Sequence, residues 1–377
     1  MNLTKYKLGD LIVQRREKNN NYDVPIRGVS KEGFIPAKQK DADTSIYNVF
    51  YKYDFVFNPA RMELNSIALN LEYDKALCSS LYEVFYVKDE SIVLPEFLNL
   101  HIKRDEFARH CDYIGLGSAR EYCRFANIAE FDIELPPIEV QEGIVEADRL
   151  IKKRIRLNNQ MIQHLEATAQ ALYRKTFVEN IDKENLPEGW RMGTIGEFGV
   201  VITGKTPSSD NPEDFGNDMP FVTPGDFGKY HKFAIGAERE LSEIGVKRLN
   251  GKVLTKGSVI VTCIGSDMGK VTIASEECIT NQQMNSIIVN RREYSDYLFY
   301  VLSFMSKELR AMALGSSTMP LLNKSDFERI GVIFPPNDLL VKFSQLLNTC
   351  NETTILKQKE NIKLTELQSL LLAKMGQ

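Results

Sequence analysis

Two stretches of the chain keep a seven-residue apolar repeat with almost no helix breaker. In the first, Ile144, Ile151, Asn158, Leu165 and Leu172 fall seven apart. Asp148, Ile155, Ile162 and Ala169 form a second row beside them, and Gly143 is the only glycine between Ile138 and Phe177. Spacing by sevens is the seam of a coiled coil, and roughly 35–40 residues at 1.5 Å rise give a rod of about 55 Å. Asn158 sits mid-seam, where a polar residue costs stability but fixes register and partner. The second stretch carries Phe343, Cys350, Lys357, Leu364 and Leu371, with Leu347, Leu367 and Met375 alongside. Its middle is polar (Thr353, Thr354, Lys357, Asn361), so it predicts a weaker seam. The simplest partner for each helix is the other, paired antiparallel with one globular unit at each end.

The rest of the chain reads as two strand-rich units. Phe55-Val56-Phe57, Val84-Phe85-Tyr86-Val87, Val259-Ile260-Val261 and Ser286-Ile287-Ile288-Val289 are short apolar or β-branched runs bounded by Gly, Asn, Asp and Pro. Each unit also holds a helical stretch, Pro95 to Arg109 and Ser295 to Met312. The units repeat one another at an offset near two hundred residues. Leu8-Gly9-Asp10-Leu11 answers Ile195-Gly196-Glu197-Phe198, and Val24-Pro25-Ile26 answers Met219-Pro220-Phe221. Asp54 to Asn58 matches Ser258 to Thr262, and Asn65-Ser66-Ile67-Ala68 falls opposite Gly269-Lys270-Val271-Thr272. Leu116-Gly117-Ser118 matches Leu314-Gly315-Ser316, and Ile128 to Pro137 matches Phe327 to Pro336. Six matches in the same order are an internal duplication. The pattern predicts an α+β chain: a unit over 1–138, a long helix over 139–181, a second unit over 182–336 and a second long helix over 337–377.

Composition changes this picture little. The chain has 377 residues, 43% hydrophobic and 26% charged, which is ordinary for globular domains. No run reaches the ~18 apolar residues of a membrane span, and the first residues carry no apolar signal region. Six scattered cysteines (Cys78, Cys111, Cys123, Cys263, Cys278, Cys350) suggest free thiols in a reducing cytoplasm. The net charge is −4 and no segment is strongly basic, so any polyanion must be held by local patches.

Catalytic constellations are missing from the sequence. His101, His110, His164 and His231 have no metal-ligand spacing and read as ordinary surface or half-buried residues. Gly265 to Lys270 lacks the spacing and the hydroxyl of a phosphate loop, and Gly115 to Arg120 lacks the third glycine of a dinucleotide fingerprint. Asn58-Pro59-Ala60-Arg61 lacks the second proline and the aromatic with which amino-methyltransferases hold a flipped adenine, and it reads as a strand end with a turn.

The loops instead carry small hydroxyls, amides and single cations. In the first unit these are Arg27, Ser30, Lys31, Arg61, Ser118, Arg120 and Arg124. In the second they are Lys205, Thr206, Ser208, Ser266 and Lys270, the amides Gln282, Gln283 and Asn285, and the hydroxyls Ser316, Ser317 and Thr318. Such side chains read base edges and phosphates, Arg and Lys pairing with guanine and Asn and Gln with adenine. The apolar frame is kept between the halves while these polar residues differ, as expected of one frame reading two half-sites.

Leu186-Pro187-Glu188-Gly189-Trp190, followed by Ile195-Gly196-Glu197 and Gly204-Lys205-Thr206-Pro207-Ser208, resembles the opening of a target recognition domain in the specificity subunits of type I restriction–modification systems. Asn281-Gln282-Gln283, Leu314-Gly315-Ser316 and the Pro335-Pro336 exit into a long helix are similar to further features of that family. The first half is a looser match without the Pro-x-Gly-Trp opening. The resemblance implies two recognition domains and paired spacer helices in a non-catalytic, cytoplasmic reader of double-stranded DNA. It also implies two methyltransferase subunits as partners, with restriction subunits joining them. No cofactor is implied in this chain, S-adenosylmethionine, ATP and Mg belonging to the partners. The helix pair would rest on Ile144, Ile151, Ile155, Asn158, Ile162, Leu165 and Leu172 against Phe343, Leu347, Cys350, Leu364 and Leu371. The competing readings are a stand-alone DNA methyltransferase or nuclease and a coiled-coil protein-interaction adaptor.

Overall fold

The computed structural model describes residues 3–20, 22–37, 43–115, 122–179, 181–265, 268–314 and 322–375. They divide into two units, residues 1–155 with 363–377, and residues 156–362. Both contain sheet and helix, as the short apolar runs and the helical stretches predict.

The first unit is built on a four-stranded antiparallel sheet in the order Ile12–Arg15, Glu83–Val87, Phe55–Phe57, Ile67–Leu69. Successive side chains of a strand point to opposite faces. Phe55, Phe57, Ile67, Leu69 and Phe85 therefore enter one apolar cluster, and Val56, Ala68 and Val84 enter another on the opposite face. Burial on both faces explains why these strands read as unbroken apolar runs rather than as alternations. Thr4–Lys7 pairs antiparallel with Asp132–Leu135 and brings the start of the unit to its exit. Between them Gly9 lies against Ala129, whose Cβ would sit 2.9 Å from any Cβ added at Gly9.

The second unit repeats this plan. Its sheet runs Gly199–Thr203, Met284–Val289, Val259–Thr262, Val271–Ala274, with Phe233–Ala234 added at the edge. Val259, Val261, Ile273 and Ile287 face one cluster, and Ile260, Ala274 and Met284 the other. Arg191–Thr194 pairs with Gly331–Phe334 as Thr4–Lys7 does with Asp132–Leu135. Ile26 bridges Leu77 in parallel, and Phe221 pairs in parallel with Ile279. The equivalences at Phe55–Phe57, Ile67–Leu69, Asp132–Leu135 and Ile26 fall on matched sequence segments, whereas those at Thr4–Lys7, Ile12–Arg15 and Glu83–Val87 carry no sequence match.

The long helices span Ile138–Phe177 and Asn337–Lys374. They run antiparallel. In the second unit Asn158 donates to Asn361 at 2.9 Å while Phe177 meets Phe343 at 4.9 Å between ring centroids. In the first unit Gln368 donates to Asp148 at 2.6 Å. Ile151, Asn158, Ile162, Phe343 and Leu347 are buried; Ile144, Ile155, Leu165, Leu172, Cys350, Leu364 and Leu371 are half-buried. The inner row of the second helix is Leu340, Leu347, Thr354, Asn361, Gln368 and Met375, seven apart, while Leu367 is exposed. That row is half polar, so a count of apolar residues places the seam one row aside.

Candidate nucleic-acid interface

Antiparallel pairing puts particular connections at the same end of each sheet. In the first unit Arg15 pairs with Val84, and Phe57 pairs with both Glu83 and Ile67. Residues 58–66 and 79–82 therefore emerge together. In the second unit Thr203 pairs with Asn285, Thr262 with Met284, and Val261 with Val271. The segments after Thr203, before Met284 and between Thr262 and Val271 emerge together at the equivalent end.

At the first of these ends lies a cavity of about 680 Å³ that collects Arg27, Arg61 and Arg124 from three separated segments; Arg27 opens the strand Arg27–Ser30, paired with Gly33–Pro36, rather than standing on a loop. Arg27 donates to the Tyr73 hydroxyl at 2.8 Å and to the Ile26 carbonyl at 3.1 Å, with its guanidinium over the Tyr73 ring. Arg124 pairs with Glu83 at 3.4 Å. Arg61 is exposed, and its guanidinium has no partner among the described residues. It stands at a kink, with non-helical backbone, between two short turns over Pro59–Leu64, the first capped by Asn58, whose side chain accepts from the Ala60 N–H at 3.1 Å. Asn58-Pro59 is thus a strand end with a turn. Ser30 closes a tight turn by donating to the Gly33 carbonyl at 3.2 Å, and Lys31 is exposed at its tip.

Arg15 ties the end of its strand to the residue before Phe55. It makes a two-point pair with Asp54, at 2.6 and 3.0 Å, between the rings of Tyr51 and Tyr86. Burial pushes the Asp54 carboxyl above its usual range against the pull of Arg15.

At the second end the chain after Gly204 lies directly on residues 280–284. Lys205 N–H donates to the Thr280 carbonyl at 2.9 Å, and Thr206 Oγ1 donates to Gln282 at 2.5 Å. Gln283 is held by Asn281, which accepts from its N–H at 3.1 Å and donates to its side chain at 3.0 Å. Lys205, Ser208, Lys270 and Gln282 are exposed. Gly265 and Gly269, in the segment that superficially resembles a phosphate loop, take φ of +83° and +84° and turn the connection.

The model of the type I restriction modification DNA specificity domain matches residues 3–167 and 187–366. The chain belongs to that family. This specificity subunit is 26% identical over 356 residues to the Type I restriction enzyme HindI specificity subunit of Haemophilus influenzae, covering 76% of this chain and 77% of the relative. It is 30% identical over 190 residues to the MjaIX specificity subunit of Methanocaldococcus jannaschii, covering 50% and 44% of the two. Its fold is like that of the type I restriction–modification S subunit from M. genitalium, with a TM-score of 0.65 at 14% identity over 99% and 96% of the two chains.

The candidate residues of this specificity subunit thus fall into groups. Arg27, Arg61 and Arg124 share one cavity; Lys205, Thr206, Gln282 and Gln283 share one loop pair. Ser118, Arg120, Ser266, Ser316, Ser317 and Thr318 lie outside the described residues. The structure removes Asn285 from the set. It is 2% exposed inside a central strand, donating to the Leu322 carbonyl at 2.9 Å and accepting from Thr203 at 2.7 Å, so it has no amide edge to offer. Two exposed residues of the first cavity, Leu81 and Tyr122, were not singled out in the sequence. The available signal was Tyr122 standing two residues before Arg124.

The remaining chemistry is structural. His101 is 4% exposed among the rings of Phe97 and Phe131, contrary to its reading as a surface or half-buried residue, and burial pushes it down to about 4. All six cysteines are unpaired, and burial pushes Cys278 up to about 12, where it is inert. Among the described residues no group of three or more His, Cys, Asp or Glu could hold a metal ion, and no helix is long and apolar enough to cross a membrane.

Proposed function

We propose that the chain is the non-catalytic reader of a bipartite double-stranded DNA site in the cytoplasm. Each recognition unit contacts one half of the site through its loop-bearing sheet end. The paired helices set the spacer between the halves and dock two methyltransferase subunits. Those subunits carry S-adenosylmethionine and the adenine chemistry, and restriction subunits with ATP and Mg join them.

The observation that carries this reading is the pair of equivalent sheet ends. One apolar frame presents three arginines in the first unit, and lysine, threonine and glutamines in the second. Guanidinium forks suit guanine, and primary amides suit adenine, so the two ends would read different bases on a common plan. Several apolar side chains of the helices are exposed, Leu157, Met161 and Leu356 among them, which supports docking of other subunits there.

The test is methyl transfer to DNA by the purified chain with and without its methyltransferase subunits. The reading expects sequence-specific transfer only by the complex. Transfer by the isolated chain refutes a non-catalytic role, and a stable complex that recognises no defined sequence favours an adaptor.

A further inference from the structure

His231, Lys232 and Phe233 form a three-residue strap that both long helices grip. From the first helix, Glu166 accepts from the Lys232 N–H at 3.0 Å and lies 3.5 Å from His231 Nδ1. From the second, Asn351 accepts from Lys232 Nζ at 2.9 Å, and Gln358 donates to the Phe233 carbonyl at 3.4 Å. Lys232 Nζ also donates to Asp296 at 2.5 Å, and the same carboxylate accepts from Asn351 at 2.9 Å and Ser344 at 3.4 Å. Lys232 is 4% exposed and Asp296 5%, with Phe233, Phe299 and Tyr300 rings around the ammonium.

Stability alone does not call for this arrangement. Replacing a buried ion pair by apolar residues of similar volume is often neutral or stabilising, whereas the polar pair is satisfied in only one geometry. The apolar contacts around it tolerate small slides; the shared Asp296–Lys232–Asn351 hydrogen bonds do not. The strap also leads to the candidate interface. The Lys232 carbonyl accepts from Ile273 N–H at 2.9 Å and from Thr272 at 3.2 Å, and Phe233–Ala234 pairs with Ile273 and Ala274. The start of that same strand, Val271, follows directly on Gly269 and Lys270, two of the residues at the candidate interface.

We propose that Lys232, Asp296 and Asn351 are positioning residues that lock the second recognition unit's sheet in one register on the helices, and so restrict the complex to one spacing of half-sites. This rests on the reading of the chain as a bipartite DNA reader. Lys232 and Asp296 reach the DNA only through the strand they orient.

The experiment uses the full chain in its complex, selecting from duplex libraries in which both half-sites and the spacing between them vary. Two variants are compared with the wild type: Lys232→Met with Asp296→Leu, which removes both charges together, and Asn351→Leu, which keeps the ion pair and removes the two hydrogen bonds that tie it to Asn351, leaving only the 3.4 Å bond from Ser344 to the helix. The expected result is unchanged half-site bases, acceptance of spacings about one base pair longer and shorter, and an undiminished melting temperature for the double variant. Retention of a single spacing by both variants overturns the proposal, as does loss of half-site bases with the spacing kept, since a merely structural role gives that. If the double variant does not fold, Asn351→Leu decides alone. A wild type with no preferred spacing overturns the bipartite reading itself and the lock with it.

Discussion

Gly204 tests whether the loop pair of the second unit forms a DNA-contacting surface. A Cβ added there would meet the carbonyl oxygens of Asn281 at 2.1 Å and Thr280 at 2.3 Å, both main-chain atoms that cannot rotate away. Ordinary contact begins at 3.4 Å, so Gly204→Ala forces the two segments apart by about 1 Å or more. The bonds from Gly204 N–H to Met284 at 3.2 Å, Lys205 N–H to Thr280 at 2.9 Å and Thr206 to Gln282 at 2.5 Å do not survive such a shift. At about 1 kcal/mol net for each, the local structure loses roughly 3 kcal/mol, enough to detach the loop while leaving the sheet and its two apolar layers in place. Lys205, Thr206 and Gln282 then no longer present one surface. Losing one base contact worth ~1–3 kcal/mol lowers affinity for the second half-site by roughly five- to a hundredfold. Equilibrium binding of the complex to duplexes randomised in one half-site at a time reads this directly. The loss should be confined to one half. Full affinity for both halves in a folded Gly204→Ala protein would refute the placement of the interface.

The other predictions use the first unit. Arg61 lacks a partner among the described residues, so Arg61→Ala should weaken binding of the first half-site by roughly tenfold without lowering the melting temperature; Arg27→Ala should lower both, because Arg27 is tied to Tyr73 and Ile26. His101, held down to about 4 by burial and the neighbouring Arg104, is neutral in the fold and takes a proton in the unfolded chain near 6.5. The unfolded state therefore binds more protons between these values. The contribution of His101 is fully present above pH 6.5 and is lost as pH falls toward 4, by roughly 3 kcal/mol in all. Denaturant unfolding of wild type and His101→Leu over that range should show a shallower acid loss in the variant; equal slopes would contradict the assignment.

Much of the fold was legible because the sheets are buried on both faces and the helices keep a heptad. Phe55-Val56-Phe57 and Val259-Ile260-Val261 announce themselves as short apolar runs, and their duplication fixes the common topology. The inner row of the second helix was not legible, because Thr354, Asn361 and Gln368 occupy core positions that apolar counting skips. The Lys232–Asp296 pair was hidden for a similar reason. Lysine is almost never buried unless paired, and its partner lies 64 residues away. The cations Arg27, Arg61 and Arg124 could be picked as loop residues, but their convergence depends on strand pairing that no local pattern records. Asn285 misled because it continues the polar run Asn281-Gln282-Gln283, although it already lies within the strand beginning at Met284.

Independent reading of two half-sites is tested most directly by exchanging residues 186–336 for the matching segment of another family member and mapping the methylated sites in cells. A new sequence in one half of the site, with the other half untouched, is the predicted outcome. Changes in both halves, or in neither, would contradict it.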